Sequence, residues 1–424
     1  MKKLLCLLLA ALMLFSMVAC ATGGDDPSGD GSKDQGTQNE VETADPNYVC
    51  DLPSDLNFKD ATIGILYADV NNKGDELVSE KLGLGVVSDA VYERNIAVQE
   101  WLKVGFEFYP ETDASMVVNS QTLDIQGGQG DYDIVVNGTY MAVQPAMEGK
   151  YINLNALENI NTDKRYWTQG YNDMVTFTDE NMQFLASGPI AISMFRYMYL
   201  TIYNKTLFND YKIPDLYETV KAGEWTLDYF MEICEGVTQE YDGKSGIDEN
   251  DLWAVGTEKF NVFAQVIGGG IHAVSKDQND VPYLTIDTTT ERTYAALDKI
   301  VNFYLSDEVM VANGGKYDGK GYSNVWEATV HKAFIEGREL FYICGLINVA
   351  GFREMDDEFG ILPMPKTFAD QDNYYHTVSP GNSSYLMIPY GVSNPESVAQ
   401  VVISLTALGL DPRTDERFSK DMTQ

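Results

Sequence analysis

The sequence carries three histidines, His272, His331 and His376, and 64 acidic residues, the raw material of hydrolytic or metal chemistry. Their spacing does not organise that chemistry. A zinc peptidase needs two histidines one helical turn apart flanking a glutamate, and an α/β-hydrolase needs a Gly-x-Ser-x-Gly elbow; neither occurs. Gly127-Gly128-Gln129-Gly130 lacks the Lys-Ser/Thr of a phosphate loop and closes a helix instead of opening one. Asp277-Gln278-Asn279-Asp280 and Asp370-Gln371-Asp372-Asn373 do not continue into calcium-loop ligand spacing and read as solvated turns. Paired carboxylates for glycoside hydrolysis stay open, because so many acids allow many pairs. The expectation is a protein that is not an enzyme and needs no cofactor or metal.

Binding groups must then be sought where the chain's elements place them. Ala61 to Tyr67 is an apolar run suited to a buried strand, and a helix follows from Ser88 or Asp89 to about Lys103, stopped by Gly105. Phe106 to Tyr109 reads as a second strand, Thr112 to Ile125 as a second helix ended by Gly127 and Gly128, and Asp131 to Val136 as a third strand. That order predicts a parallel sheet with right-handed crossovers. Ligands of such sheets sit at the strand carboxyl ends, which makes Tyr67, Asp69, Asn137 and Tyr140 candidates.

Gln183 to Tyr203 reads as strands that carry the chain into a second lobe, where Asn204 to Phe208 starts a helix. Thr226 is the N-cap of a helix with Leu227, Phe230, Met231, Cys234 and Val237 on one stripe. Leu252 to Gly256 is a strand, and Phe260, Phe263 and Ile267 form the stripe of a short helix closed by Gly268-Gly269-Gly270, with Phe260 in the core. Thr289 to Leu305 is helical with Tyr294, Leu297 and Val301 in register, and Ser323 to Glu336 is helical too. Glu339 to Ile343 is a strand, Phe359 to Pro365 an extended return to the first lobe, Tyr385 to Pro389 a strand, and Asn394-Pro395 opens a final helix.

Residues 1–20 read as a secretory signal: a basic start, an apolar run from Leu4 to Phe15 too short to span a bilayer, then small residues before Cys20. The Met17-Val18-Ala19-Cys20 end resembles a bacterial lipobox, whose cysteine is acylated. Two or more acyl chains, at about 0.8 kcal/mol per buried CH2, hold a domain firmly at a membrane. Lipidation of Cys20 therefore predicts a chain anchored to the outer face of a bacterial cytoplasmic membrane. Residues 21–50 are polar and small and read as a flexible tether. With 29 basic against 64 acidic residues, a formal charge of −35 and no basic cluster, nucleic acid is excluded as a partner. Cys234 sits on an apolar stripe; the disulfide state of Cys50, Cys234 and Cys344 stays open.

Several separated motifs resemble extracellular solute-binding protein family 1, the carbohydrate-binding lipoproteins of ABC importers. Tyr203-Asn204-Lys205-Thr206-Leu207-Phe208 resembles that family's crossover into its second lobe, Gly223-Glu224-Trp225-Thr226-Leu227 its tryptophan-led helix, and Gly268-Gly269-Gly270 the stop after its pocket helix. Ala333-Phe334-Ile335-Glu336-Gly337-Arg338 and Phe359-Gly360-Ile361-Leu362-Pro363-Met364-Pro365-Lys366 resemble its return segment. Members usually continue for several more helices, so the resemblance leaves open a short member or further chain beyond Gln424.

The resemblance implies a two-lobed α/β fold of the periplasmic-binding-protein type (type II), each lobe a mainly parallel sheet flanked by helices. It further implies reversible capture of a mono- or oligosaccharide in the interlobe cleft of a monomer and delivery to ABC permease subunits. Sugars present C–H faces to aromatics and hydroxyl edges to carboxylates, amides and Arg. Candidate ligand residues are therefore Tyr67, Asp69, Tyr140, Trp167, Arg196, Trp253, Glu258, Trp326 and Asn348; Trp225 is assigned to helix packing, and Phe195-Arg196-Tyr197 lies on the crossover. The expected organisation is signal 1–20, tether 21–50, a first lobe of 51–200 plus 355–392, and a second lobe of 201–354 plus 393–424. A non-sugar solute on the same fold, a secreted glycan-cleaving enzyme and a surface adhesin are the alternatives.

Overall fold

A computed structural model describes residues 52–53, 55–70, 73–164, 166–177, 182–285, 290–314, 316–317 and 320–409. The signal with Cys20, the tether and Cys50 lie outside the described residues. The strands are β1 (Ala61–Ala68), β2 (Val104–Glu111), β3 (Ile134–Asn137), the short pair β4 (Thr176–Phe177) and β5 (Met182–Gln183), β6 (Tyr199–Asn204), β7 (Trp253–Glu258), the hairpin strands β8 (Val274–Lys276) and β9 (Pro282–Leu284), β10 (Val309–Ala312), β11 (Glu339–Gly345), β12 (Phe359–Leu362) and β13 (Tyr385–Met387).

Two sheets organise two lobes. In the first, the order is β13-β3-β1-β2, with β1 parallel to β2 and β3 and with β13 antiparallel at the edge. Because strand side chains alternate between faces, Ile63, Ile65 and Tyr67 pack with the Val86–Leu102 and Pro395–Leu408 helices, while Leu66 and Ala68 pack with the Ala114–Gly127 and Thr139–Met147 helices. In the second sheet the order is β10-β7-β11-β6-β12; β7 is parallel to β10 and β11, and β6 runs antiparallel between β11 and β12. Phe341 and Ile343 face the Leu227–Cys234 and Glu291–Tyr304 helices; Tyr342 and Cys344 face the segment around Val330, Phe334 and Phe352. The parallel three-strand core and the two-lobed α/β architecture are those expected.

Local chemistry explains the boundaries. Asp113 caps the Ala114–Gly127 helix by accepting from Ser115 N–H at 2.7 Å, and Thr226 and Asn394 cap their helices through Tyr229 N–H and Ser397 N–H at 3.3 Å. Gly269 has no alternative: a Cβ there would lie 1.7 Å from Thr367 Oγ1, so the returning 364–367 segment crosses directly over that turn. The end of the Val86–Leu102 helix departs from expectation. Lys103, at φ 55°, terminates it, and Gly105 is already inside β2.

Three larger differences concern placement. β12 does not return to the first lobe but pairs with β6 as the edge of the second sheet, and the Pro395–Leu408 helix packs on the first sheet instead of the second. Residues 355–362 therefore belong with the second lobe and 395–408 with the first. Between Gln183 and Tyr203 only β6 is a full strand; the short Ser193–Arg196 helix interrupts the run. Two helices bury a different face from the one their large apolar residues suggest. Phe260 and Phe263 are 67% and 65% exposed, while Asn261, Ala264 and Gln265 are buried. Asn261 Nδ2 and Gln265 Nε2 donate to the Ile343 and Pro365 carbonyls at 2.9 and 3.0 Å, so hydrogen bonding selects the polar face. In Glu291–Tyr304, Tyr294 and Val301 are exposed, and Ala296, Ile300, Phe303 and Tyr304 form the buried stripe.

Candidate functional site

The carboxyl ends of β7 and β11 and the start of β6 meet at one edge of the second sheet. There a cavity of about 460 Å³ opens. Its second-lobe wall carries Glu258 at the end of β7 and Asn261 after it, Gly345 at the end of β11 and Ile347 and Asn348 after it, and Asn324 and Trp326 before the Lys332–Ile335 helix. Its remaining wall is the crossover between lobes, which supplies Tyr197, Tyr199, Ser379 and Asn382.

The crossover is a pair of antiparallel segments. Met198 bridges Val378, Tyr199 N–H donates to the Thr377 carbonyl at 3.1 Å, and Ser379 N–H donates to the Tyr197 carbonyl at 3.1 Å. Leu346 N–H donates to the Met198 carbonyl at 3.0 Å, tying the end of β11 to the same place. Both tyrosine hydroxyls stay protonated. Burial pushes Tyr197 up to about 12; Tyr199 is raised by burial, against a hydrogen bond with Ser379 that lowers it.

Glu258 is the only acid of the lining, and the described lining has no Lys, Arg or His. Burial raises its carboxyl above the ordinary carboxylate range, offset in part by Asn313 Nδ2, which donates to Oε1 at 3.0 Å. The other polar lining groups are amides and hydroxyls, which both donate and accept. Trp326 is the one indole: its Nε1 donates to Tyr342 Oη at 2.6 Å, and its ring stacks on His331 at 4.3 Å and 25°. The arrangement sets a fixed aromatic face beside a partly buried carboxyl and neutral hydrogen-bonding edges.

Of the residues expected to bind a ligand, Glu258, Trp326 and Asn348 come together here. The others do not. Tyr67 is in the first-lobe core, edge-on to Phe108 at 6.5 Å, because its β1 position points toward the Val86–Leu102 side. Asp69 is exposed and closes a turn by accepting from Gly74 N–H at 3.1 Å. Asn137 turns its Nδ2 to the Ala114 carbonyl at 2.9 Å. Trp167 is core in the first lobe and Trp253 in the second, the latter donating from Nε1 to the Asp248 carbonyl at 2.8 Å. Arg196 is half-buried, 3.9 Å from Asp75 Oδ2.

Tyr140 lies beside the cavity without lining it. Its N–H donates to the Pro380 carbonyl at 3.1 Å and its side chain is 75% exposed. Trp225 is fully buried, as expected for helix packing, with Nε1 donating to the Pro363 carbonyl at 2.9 Å. Cys234 and Cys344 are buried free thiols. Tyr199, Asn261, Asn324, Ser379 and Asn382 were invisible as site residues, because only the pairing of β6 with 377–379 and the burial of Asn261 bring them together.

No helix among the described residues is long and apolar enough to cross a membrane. The sequence matches no family model and no curated protein. Solved structures are similar in fold. One is a cyclo/maltodextrin-binding protein complexed with maltotetraose, with a TM-score of 0.55 and 12% identity over 85% of this chain and 77% of that one. Another is the sugar-binding protein MalE from the phytopathogen Xanthomonas citri, with a TM-score of 0.55 and 14% identity over 84% of this chain and 77% of that one. A third is UspC from M. tuberculosis, with a TM-score of 0.50 and 14% identity over 82% of this chain and 78% of that one. The chain thus has the two-lobed α/β fold of these structures, the fold that the resemblance to extracellular solute-binding protein family 1 implies.

Proposed function

We propose that the protein is a solute receptor that captures a mono- or oligosaccharide in the cavity between the crossover and the second lobe and passes it to an ABC permease. The observation that carries the reading is the pairing of one fixed indole face, Trp326, with a ring of amides, hydroxyls and the Glu258 carboxyl. A pyranose offers C–H groups to the first and hydroxyls to the second. Neighbours of the same fold bind sugars and are binding proteins rather than enzymes, which supports capture without turnover. Acylation at Cys20 and the polar stretch after it place the receptor on a tether outside the cytoplasmic membrane; this part rests on the sequence.

The reading is tested by thermal unfolding of the chain from Cys50 onward against mono- and oligosaccharides, with each mixture checked for cleavage. A ligand at a hundred times its Kd adds about 2.7 kcal/mol of stability. A shift with one sugar class and intact sugar is expected. No shift with any sugar in a chain that melts cooperatively would overturn the sugar reading in favour of a non-sugar solute, and cleaved sugar would favour the glycan-cleaving enzyme.

A further inference from the structure

The helix behind Trp326 contains a π turn, Glu327–His331. In a regular α-helix each residue turns about 100°, so residues five apart point about 140° away from each other. The wider turn removes that separation. It brings His331 face to face with Trp326, ring centroids 4.3 Å apart and planes 25° from parallel. Helices rarely accommodate such a turn, and where they do it is frequently at a functional site.

The stack is held from behind. His331 is wedged against Phe352 at 5.8 Å and Tyr342 at 6.3 Å, and a Cβ on Gly351 would lie 3.5 Å from its Cε1 and Nε2. Tyr342 Oη also receives the Trp326 Nε1 hydrogen bond, so one tyrosine fixes the indole edge while the imidazole fixes its face. We propose that His331 is a positioning residue for ligand binding, a second layer beneath Trp326 that holds the indole in the one orientation the cavity presents. The inference rests on the sugar-binding reading given above. His331 itself touches no ligand.

The imidazole acts as a neutral ring. Its Nδ1 is buried with no hydrogen-bond partner, and burial lowers its pKa, opposed by Glu327 on the same helix. The groups facing it from packed elements are the uncharged Tyr342 phenol of β11, the Phe352 ring and the backbone at Gly351. A flat apolar ring of similar size should therefore serve as well.

The experiment compares His331→Ala and His331→Phe in the full soluble chain with two readouts. The first needs no ligand: acrylamide quenching of Trp326 fluorescence, isolated by subtracting the Trp326→Phe background. His331→Ala should increase quenching, and His331→Phe should not. The second is affinity for maltotetraose as the probe: His331→Ala should weaken it about 5-fold, the scale of one aromatic stack, with His331→Phe within about 2-fold of the parent. Unchanged quenching in His331→Ala, or equal loss of affinity in both variants, would overturn the positioning role. Failure of the parent chain to bind any sugar while the quenching difference persists would count against the sugar-binding reading and leave the stack itself established.

Discussion

Lys276 provides a direct test of whether contact between the lobes sets affinity. It lies at the end of β8, on the second-lobe hairpin, and its Nζ reaches the end of the first-lobe helix Gln169–Met174. There it donates to the Asp173 carbonyl and, at 3.0 Å, to the Thr176 carbonyl; it also lies 3.5 Å from the Asp173 and Asp280 carboxylates. The side chain is only 17% exposed, whereas that of Asp173 is 76% exposed. The carboxylate pair is thus worth at most about 1 kcal/mol, and the hydrogen bonds from a charged donor to the Asp173 and Thr176 carbonyls bring the contact to about 1–2 kcal/mol. A ligand that binds only the conformation in which this contact exists loses the same free energy in apparent affinity when the contact is removed. Lys276→Met should therefore weaken binding of whichever sugar the screen returns by about 5- to 30-fold, mostly through faster dissociation, measured by calorimetry and stopped-flow release. Small-angle scattering of the sugar-free chain should show a larger radius of gyration for the variant. Parent-like affinity together with parent-like scattering would refute the reasoning, because the hairpin would then touch the first lobe without restraining it.

Trp326→Ala should weaken sugar binding by about 2 kcal/mol, roughly 30-fold, with a smaller change in melting temperature, both read in the same thermal titration. Glu339 is fully buried with neither carboxylate oxygen partnered, and burial, opposed by Arg338, holds its carboxyl well above the ordinary value of 4.5. The folded chain then binds more protons than the unfolded one, so stability is greatest below that value and falls as pH rises above it; Glu339→Gln should raise the melting temperature at neutral pH and flatten that fall. Trp225→Phe removes the donor to the Pro363 carbonyl and should cost about 2 kcal/mol in denaturant unfolding without altering sugar affinity.

The sequence was most informative where burial and periodicity agree. β1 to β3 and their helices were legible because a parallel sheet covered on both faces leaves continuous apolar runs such as Ile63-Gly64-Ile65-Leu66. The cavity was legible only in part. Glu258 and Asn348 came from the resemblance and Trp326 from the aromatic faces a sugar needs, whereas the choice between core and cavity for Trp326 as for Tyr67, Trp167 and Trp253 depends on which way each strand or loop faces, and an aromatic suits either. The stripe of the Val262–Gly268 helix misled because Asn261 and Gln265 are satisfied by backbone carbonyls from distant sequence, a tertiary effect that no local pattern encodes. The π turn under Trp326 was hidden for the same reason, since one extra residue in a helix leaves no compositional mark.

The placement of the cavity on the crossover links binding to the relative position of the lobes. Ser193 anchors the first-lobe end of both segments: its N–H and hydroxyl donate to the buried Glu76 carboxylate at 2.6 and 3.1 Å, and Ser384 N–H donates to its Oγ at 2.9 Å. Beyond that anchor, Tyr197 and Tyr199 on one segment and Ser379 and Asn382 on the other carry cavity side chains. Any rotation of the lobes must be absorbed by backbone torsions in these few residues, and it therefore moves the tyrosines and Ser379 relative to Glu258 and Trp326, which are fixed to the second sheet. A ligand touching both sets binds one lobe arrangement better than another, which is the requirement for a ligand to shift a conformational equilibrium. Lys276 acts on the same equilibrium from outside the cavity, so a Lys276→Met and Trp326→Ala pair should be additive in free energy if the hairpin only biases the lobes. Strong coupling between them would instead mean that the hairpin shapes the cavity directly.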